Sequence, residues 1–278
     1  MAVQVRYFTD PGCPWSWAAE PVVRRLMQEF GATLSWSWLM VGLSRQIPPD
    51  TRGLALHWLG VADRSGMPID PLLWKESPIA STYPACMSVK AAAEQGEPAA
   101  TRYLRVLREG LMCLRRKLDT TEAFVEAARE AGLDVERFRV DLGSHAIVEA
   151  FGNDLEEARD VPEEARAAGQ VADAEGGERV SIPCAVFVGE GGERRWWFGP
   201  SSYDELRDAA LAAGAEAAGG EGPGVLDALR RFGRMATLEV QEVCGLPGPR
   251  AHAELWRLAS EWQVRPVPAL TGHLWELA

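Results

Sequence analysis

The chain opens on an alternating run, Val3-Gln4-Val5-Arg6-Tyr7-Phe8, which reads as a short strand over residues 3–9 closed by the turn Asp10-Pro11-Gly12. Apolar residues then recur every three to four positions, at Trp17, Pro21, Val22, Leu26 and Phe30, and predict a helix from Pro14 to Phe30. Pro14 suits its first turn, where a missing N–H costs nothing, and Gly31 suits its end. Residues 33–42 alternate again as a second strand. Strand, helix, strand in that order implies a parallel pair joined by a right-handed crossover.

Residues 43–76 hold many prolines and glycines and read as irregular. From Pro84 to Gly143 the pattern is helical, with a start at Thr120-Thr121-Glu122 and a stop at Gly132; residues 145–168 continue as helix with a break near Val161-Pro162. Strand patterning returns over 179–188, and a Gly189–Gly192 turn leads to a second hairpin arm at Arg195–Phe198. A helix follows from Ser202 to Ala213. Residues 214–224, rich in Ala, Gly and Glu, read as a flexible linker. The tail is expected to hold helices at 225–233, 237–244 and 249–262, then a strand–turn–strand around Thr271-Gly272, the order of a winged-helix unit.

Composition narrows the function. With 47% hydrophobic and 25% charged residues the chain is a folding, core-forming sequence. Its net charge of -11 argues against nucleic acid as a partner, because phosphates repel an acidic surface. The tail arginines (Arg230, Arg231, Arg234, Arg250, Arg257, Arg265) are balanced by acidic neighbours, so docking or homodimerisation suits that unit better than DNA binding. No apolar run approaches the roughly 20 residues that span a bilayer, and no signal-peptide core follows Met1, so no membrane contact and a cytoplasmic location are expected. Five cysteines at irregular spacing fit neither a disulfide framework nor a zinc site, and His57, His145, His252 and His273 have no metal-ligand spacing.

The chemistry then centres on Cys13. A cysteine opening a helix faces unpaired N–H groups and the positive end of the helix dipole, which favour the reactive thiolate. A buried, inert thiol is the alternative. Asp10-Pro11-Gly12-Cys13-Pro14-Trp15-Ser16-Trp17 resembles the active-site segment of the cytoplasmic DsbA-like thioredoxin-fold family, in its FrnE-like and 2-hydroxychromene-2-carboxylate isomerase-like branch. Ser81-Thr82-Tyr83-Pro84-Ala85-Cys86 is similar to a run of the family's adapter-like members, and Gly199-Pro200-Ser201-Ser202-Tyr203 to its segment after the hairpin. The resemblance covers residues 3–213. It implies an α/β thioredoxin-like domain from 1–42 and 177–213, interrupted by an all-helical insertion at 43–176. The linker at 214–224 and the winged-helix-like module at 225–278 follow.

The same resemblance implies site roles. Cys13 and Ser16 would be catalytic, with Pro14, Trp15, Ile182 and Pro183 binding substrate. Dithiol relatives carry a second cysteine where this chain has Ser16, and a lone thiolate cannot resolve a mixed disulfide within the motif. Cys184 is a candidate non-local resolving thiol, or else a core residue if the pleat turns it inward. Pro183 matches the family's cis-proline, although without the resemblance an X–Pro bond defaults to trans. The implied activity is thiol–disulfide exchange through Cys13. No tightly bound cofactor is expected; the partner would be a disulfide-containing protein or a low-molecular-weight thiol such as glutathione as co-substrate. Two alternatives stand beside it: a non-catalytic protein-binding adapter, and a transferase or isomerase like the kappa-class glutathione transferases.

Overall fold

The computed structural model describes residues 2–220 and 222–278. Its central sheet has four strands in the order β2-β1-β5-β6, where β1 is Val3–Thr9, β2 Leu34–Met40, β5 Cys184–Val188 and β6 Arg194–Phe198. The β1–β2 pair is parallel, with Tyr7 opposite Trp38, and β1–β5 and β5–β6 are antiparallel. The crossover between β1 and β2 holds α1 (Pro14–Ala18) and α2 (Glu20–Phe30) rather than one continuous helix. Pro21 has no N–H to offer the carbonyl of Trp17, so the ladder breaks where α1 hands over to α2.

The segment 43–76, read as irregular, carries α3 (Arg52–Ser65) and α4 (Leu73–Glu76). Beyond it come α5 (Tyr83–Ala93), α6 (Glu97–Met112), α7 (Thr121–Glu130), α8 (Val135–Leu142), α9 (His145–Arg159) and α10 (Glu163–Ala167). The insertion is not helical to its end: β3 (Val171–Ala174) pairs with β4 (Gly177–Val180) in a separate two-stranded sheet. The run read as one strand over 179–188 is accordingly two, because Ser181-Ile182-Pro183 interrupts it and Pro183 has no N–H to give a ladder. After β6, α11 (Tyr203–Ala212) packs against α2.

Residues 214–220, the described first part of the stretch read as a linker, are tied down at several points. Ala215 is buried, the Ala218 N–H donates to Glu29 O at 2.8 Å, and the Thr33 hydroxyl donates to Glu216 O at 2.9 Å. The tail then runs α12 (Val225–Phe232), β7 (Met235–Ala236), α13 (Thr237–Cys244), α14 (Gly248–Ser260), β8 (Val264–Ala269) and β9 (Gly272–Leu277), with its sheet in the order β7-β9-β8. It has a core of its own, including Leu229, Val240, Leu255 and Trp275.

The tail also shares a seam with the unit built on the central sheet, where α13 packs on α2. Three carboxylates and three guanidinium groups are buried there: Glu20, Glu109, Glu239, Arg24, Arg105 and Arg108. Arg105 grips Glu239 with two nitrogens at 2.8 and 2.9 Å, and reaches Glu109 at 2.7 Å and Glu20 at 3.0 Å. Arg24 lies 3.1 Å from Glu239, and Arg108 pairs with Glu20. Glu239 also accepts the Ala236 N–H at 2.6 Å. Each buried charge therefore meets an opposite one, as burial of ions requires.

Candidate functional site

Cys13 is the N-cap of α1, with extended backbone angles, and its Sγ accepts the Ser16 N–H at 3.3 Å. This places the thiol where the helix leaves donors unpaired, beyond the end of β1. It does not leave the thiol open: Cys13 is 3% exposed. Burial raises its pKa above the ordinary thiol range, and the Asp10 carboxylate adds to the rise. The Ser16 hydroxyl and N–H and the Trp15 N–H oppose that rise without overcoming it. The activation expected from the helix terminus is thus outweighed by desolvation, since loss of water penalises the charged form.

Asp10 organises the loop. Fully buried, it accepts the Gly12 N–H at 2.7 Å through one oxygen, and the Leu43 N–H at 2.7 Å and the Cys86 thiol at 3.3 Å through the other. Burial raises its pKa, with these bonds acting in the opposite direction. Cys86, whose own pKa is pushed well up by burial and by Asp10, stays a protonated donor. A Cβ on Gly12 would stand 3.0 Å from Thr82 Cγ2, so the absence of a side chain lets the start of α5 approach the thiol loop. Thr82 completes the join by accepting the Ser44 N–H at 3.1 Å, while its own N–H donates to Ser44 O at 2.9 Å.

The other residues singled out by sequence divide into two groups. Pro14 and Ser16 are buried, and Ser16 Oγ has no hydrogen-bond partner of ordinary geometry. Trp15 is half-exposed, with His57 edge-on at 6.4 Å and the Arg64 guanidinium 4.8 Å over its ring. The Ile182–Pro183 and Gly199–Pro200 bonds are cis; Ile182 is half-buried and Pro183 buried. Cys184 sits opposite Phe8 in the sheet and belongs to the core cluster of Phe8, Val41, Ala158 and Val186. All five cysteines are free, and Cys184 makes no bond with Cys13. Burial drives its pKa far above the ordinary range.

Sequence reasoning missed Asp10 as more than a turn residue, and it missed Arg179. Arg179, half-buried on β4, is close enough to Cys13, Asp10 and Cys184 for each to favour its charge, against the burial that lowers its pKa. Asp10 could have been found from its place three residues before Cys13; nothing in the pattern marks Arg179. No cluster of His, Cys, Asp or Glu among the described residues could hold a metal ion, and no described helix is long and apolar enough to cross a membrane.

Among curated proteins, the chain is 32% identical over 168 residues to the ClpXP adapter protein SpxH of Halalkalibacterium halodurans, spanning 57% of this chain and 55% of that one. That alignment thus spans little more than half the relative's length. With the SpxH of Bacillus subtilis it is 27% identical over 284 residues, 99% of this chain and 89% of the relative. Among solved structures, the cytosolic disulfide reductase DsbM of Pseudomonas aeruginosa superposes with a TM-score of 0.57 at 17% identity, over 75% of this chain and 98% of that one. The family model described as thioredoxin matches residues 7–163, more than half of the chain. This chain belongs to the thioredoxin family, with a DsbA-like form of its fold.

Proposed function

We propose that the protein is a thioredoxin-fold adapter that binds a protein client and delivers it to a ClpXP-type protease, using the fold for recognition rather than for dithiol turnover. The observation that carries this reading is the closed, single-thiol site: Cys13 is 3% exposed, its pKa is raised, and Ser16 stands where a dithiol motif has its second sulfur. A thiol that is protonated at neutral pH attacks disulfides slowly, and one without a neighbour cannot release itself. The near full-length likeness to an adapter from Bacillus subtilis supports the same reading.

The test is protein turnover in cells with and without the gene, followed by quantitative mass spectrometry. An adapter shortens the half-lives of a small client set, only while ClpXP is present, and the Cys13→Ser protein restores that turnover. Unchanged half-lives throughout, combined with disulfide reduction by the purified protein that Cys13→Ser abolishes, would overturn it.

One observation favours a second reading, thiol–disulfide exchange with a small thiol. Ser16 Oγ is buried beside the thiol, where its hydroxyl opposes the rise in the Cys13 pKa. In that scheme the Cys13 thiolate attacks a disulfide and one sulfur leaves as a thiol; glutathione or a similar thiol then attacks the substrate sulfur of the mixed disulfide, freeing Cys13 as its thiolate and releasing the substrate as a mixed disulfide with the small thiol. Pro183, Ile182, Pro14 and Trp15 would flank the incoming partner.

A further inference from the structure

The seam between the thioredoxin-like domain and the tail also holds a half-open cavity of about 560 Å³, well within the range of small-molecule sites. Its walls come from α2, β2, α6, the end of α7, α12 and β9, so neither unit forms it alone. Met27, Trp38, Val106 and Phe232 give it an apolar body.

Its charge is lopsided. The lining glutamates Glu20, Glu109, Glu130 and Glu276 all lie within ion-pair distance of an arginine already. Among the lining arginines, Arg102 and Arg231 have no carboxylate partner among the described residues. Arg102 donates only to the carbonyls of Ala131 and Pro98, and Arg231 to that of Met27.

We propose that this cavity binds a small amphipathic anion, a molecule with an apolar body and a carboxylate or phosphate head. The body packs among Met27, Trp38, Val106 and Phe232, and the head is met by Arg102 and Arg231 at the rim. Guanidinium groups suit both heads, because their planar fork matches carboxylate and phosphate geometry. The ligand touches both units, so binding ties the tail more firmly to α2. The proposal does not depend on the adapter reading.

The experiment is isothermal titration calorimetry on the full chain with decanoate, decyl phosphate and decanol, each below its critical micelle concentration. The expected result is saturable one-to-one binding of at least one anion, about tenfold or more tighter than decanol. Arg102→Ala and Arg231→Ala each weaken it about tenfold, as loss of one charge-assisted contact does. Val106→Trp, which fills the cavity, abolishes it. Circular dichroism of the unliganded variants verifies that they fold; Arg102 and Arg231 are exposed, so their removal leaves the fold intact. The preferred head separates a carboxylate ligand from a phosphate one. The proposal is overturned if neither anion saturates, if decanol binds equally well, or if both arginine variants bind like the parent.

Discussion

The thiol loop and the seam bury polar groups in opposite ways. Around Asp10 a single carboxylate is surrounded by neutral donors: two backbone N–H groups and a thiol. At the seam three carboxylates face three guanidinium groups with little else between them. In the loop burial wins and the pKa of Asp10 rises. At the seam burial would also raise Glu20, but Arg108, Arg105 and Arg24 prevail and hold it at about 2. The lesson is that neutral donors satisfy a buried acid without fixing its charge, whereas paired cations keep it ionised. A closed loop of the first kind suits a thiol that stays protonated, and a balanced cluster of the second kind suits a joint between two units.

Breaking the seam should have the largest effect. Glu239→Ala leaves Arg105 and Arg24 short of a buried counter-charge, and the Ala236 N–H unpaired. The expected loss is about 3–5 kcal/mol in urea unfolding, the usual result of orphaning a buried ion. A loss below about 1 kcal/mol would mean that the cluster is hydrated in solution. Asp10→Ala comes next, at about 1–3 kcal/mol, because the Gly12 and Leu43 donors lose their acceptor. Asp10→Asn keeps one acceptor oxygen but turns an amide NH2 toward the donors that the other oxygen served, so it should recover less than half of that. Full recovery would show that one backbone donor alone holds the loop.

The acid limb sharpens the contrast. Glu20 titrates lower in the folded chain than its ordinary 4.5, so the stability it contributes is complete above that pH and is lost as pH falls toward about 2. Asp10 runs the other way: its folded pKa is raised, so it favours folding below its unfolded value and loses that contribution as pH climbs through the folded one. Thermal unfolding across pH 2–7 should therefore steepen in Glu20's acid window, and Glu20→Gln should remove that slope while lowering the plateau. The smallest signal is Cys13 itself. Residue-resolved alkylation at pH 7.5 should be slower than for free cysteine and should accelerate only above the ordinary thiol range. Fast alkylation with a depressed pKa would return the site to the thiol-exchange reading.

Much of the central sheet was legible because its signals are local. Val3–Thr9 alternates cleanly, and Pro14 and Gly31 punctuate the crossover. The helix at Arg52–Ser65 was hidden by its own glycines, Gly53 and Gly60, and by a narrow apolar stripe of Trp58, Val61 and Ala62 that leaves Leu56 and Leu59 on the surface. The strand Val171–Ala174 is four residues long and pairs only with its neighbouring hairpin arm, so alternation had little room to register. At the site, Cys13 and the cis bond before Pro183 stood out through motifs. The environment that sets the thiol's acidity did not, because Asp10, Leu43, Thr82 and Cys86 converge from distant stretches of chain. Helix-terminus reasoning captures a dipole but not the burial that overrides it.

The pairing of Phe8 with Cys184 has a consequence for synthesis. One flank of β1 can close as soon as β2 leaves the ribosome, but the other must wait for the whole insertion to be made. A nascent chain therefore carries an unpaired apolar edge along β1 for most of its elongation, and Arg24 and Arg105 lack their tail-side counter-charge, Glu239, for longer still. Chains truncated before Val188 should stick to one another or to chaperones, whereas loss of the distal tail alone uncovers charge rather than strand edge.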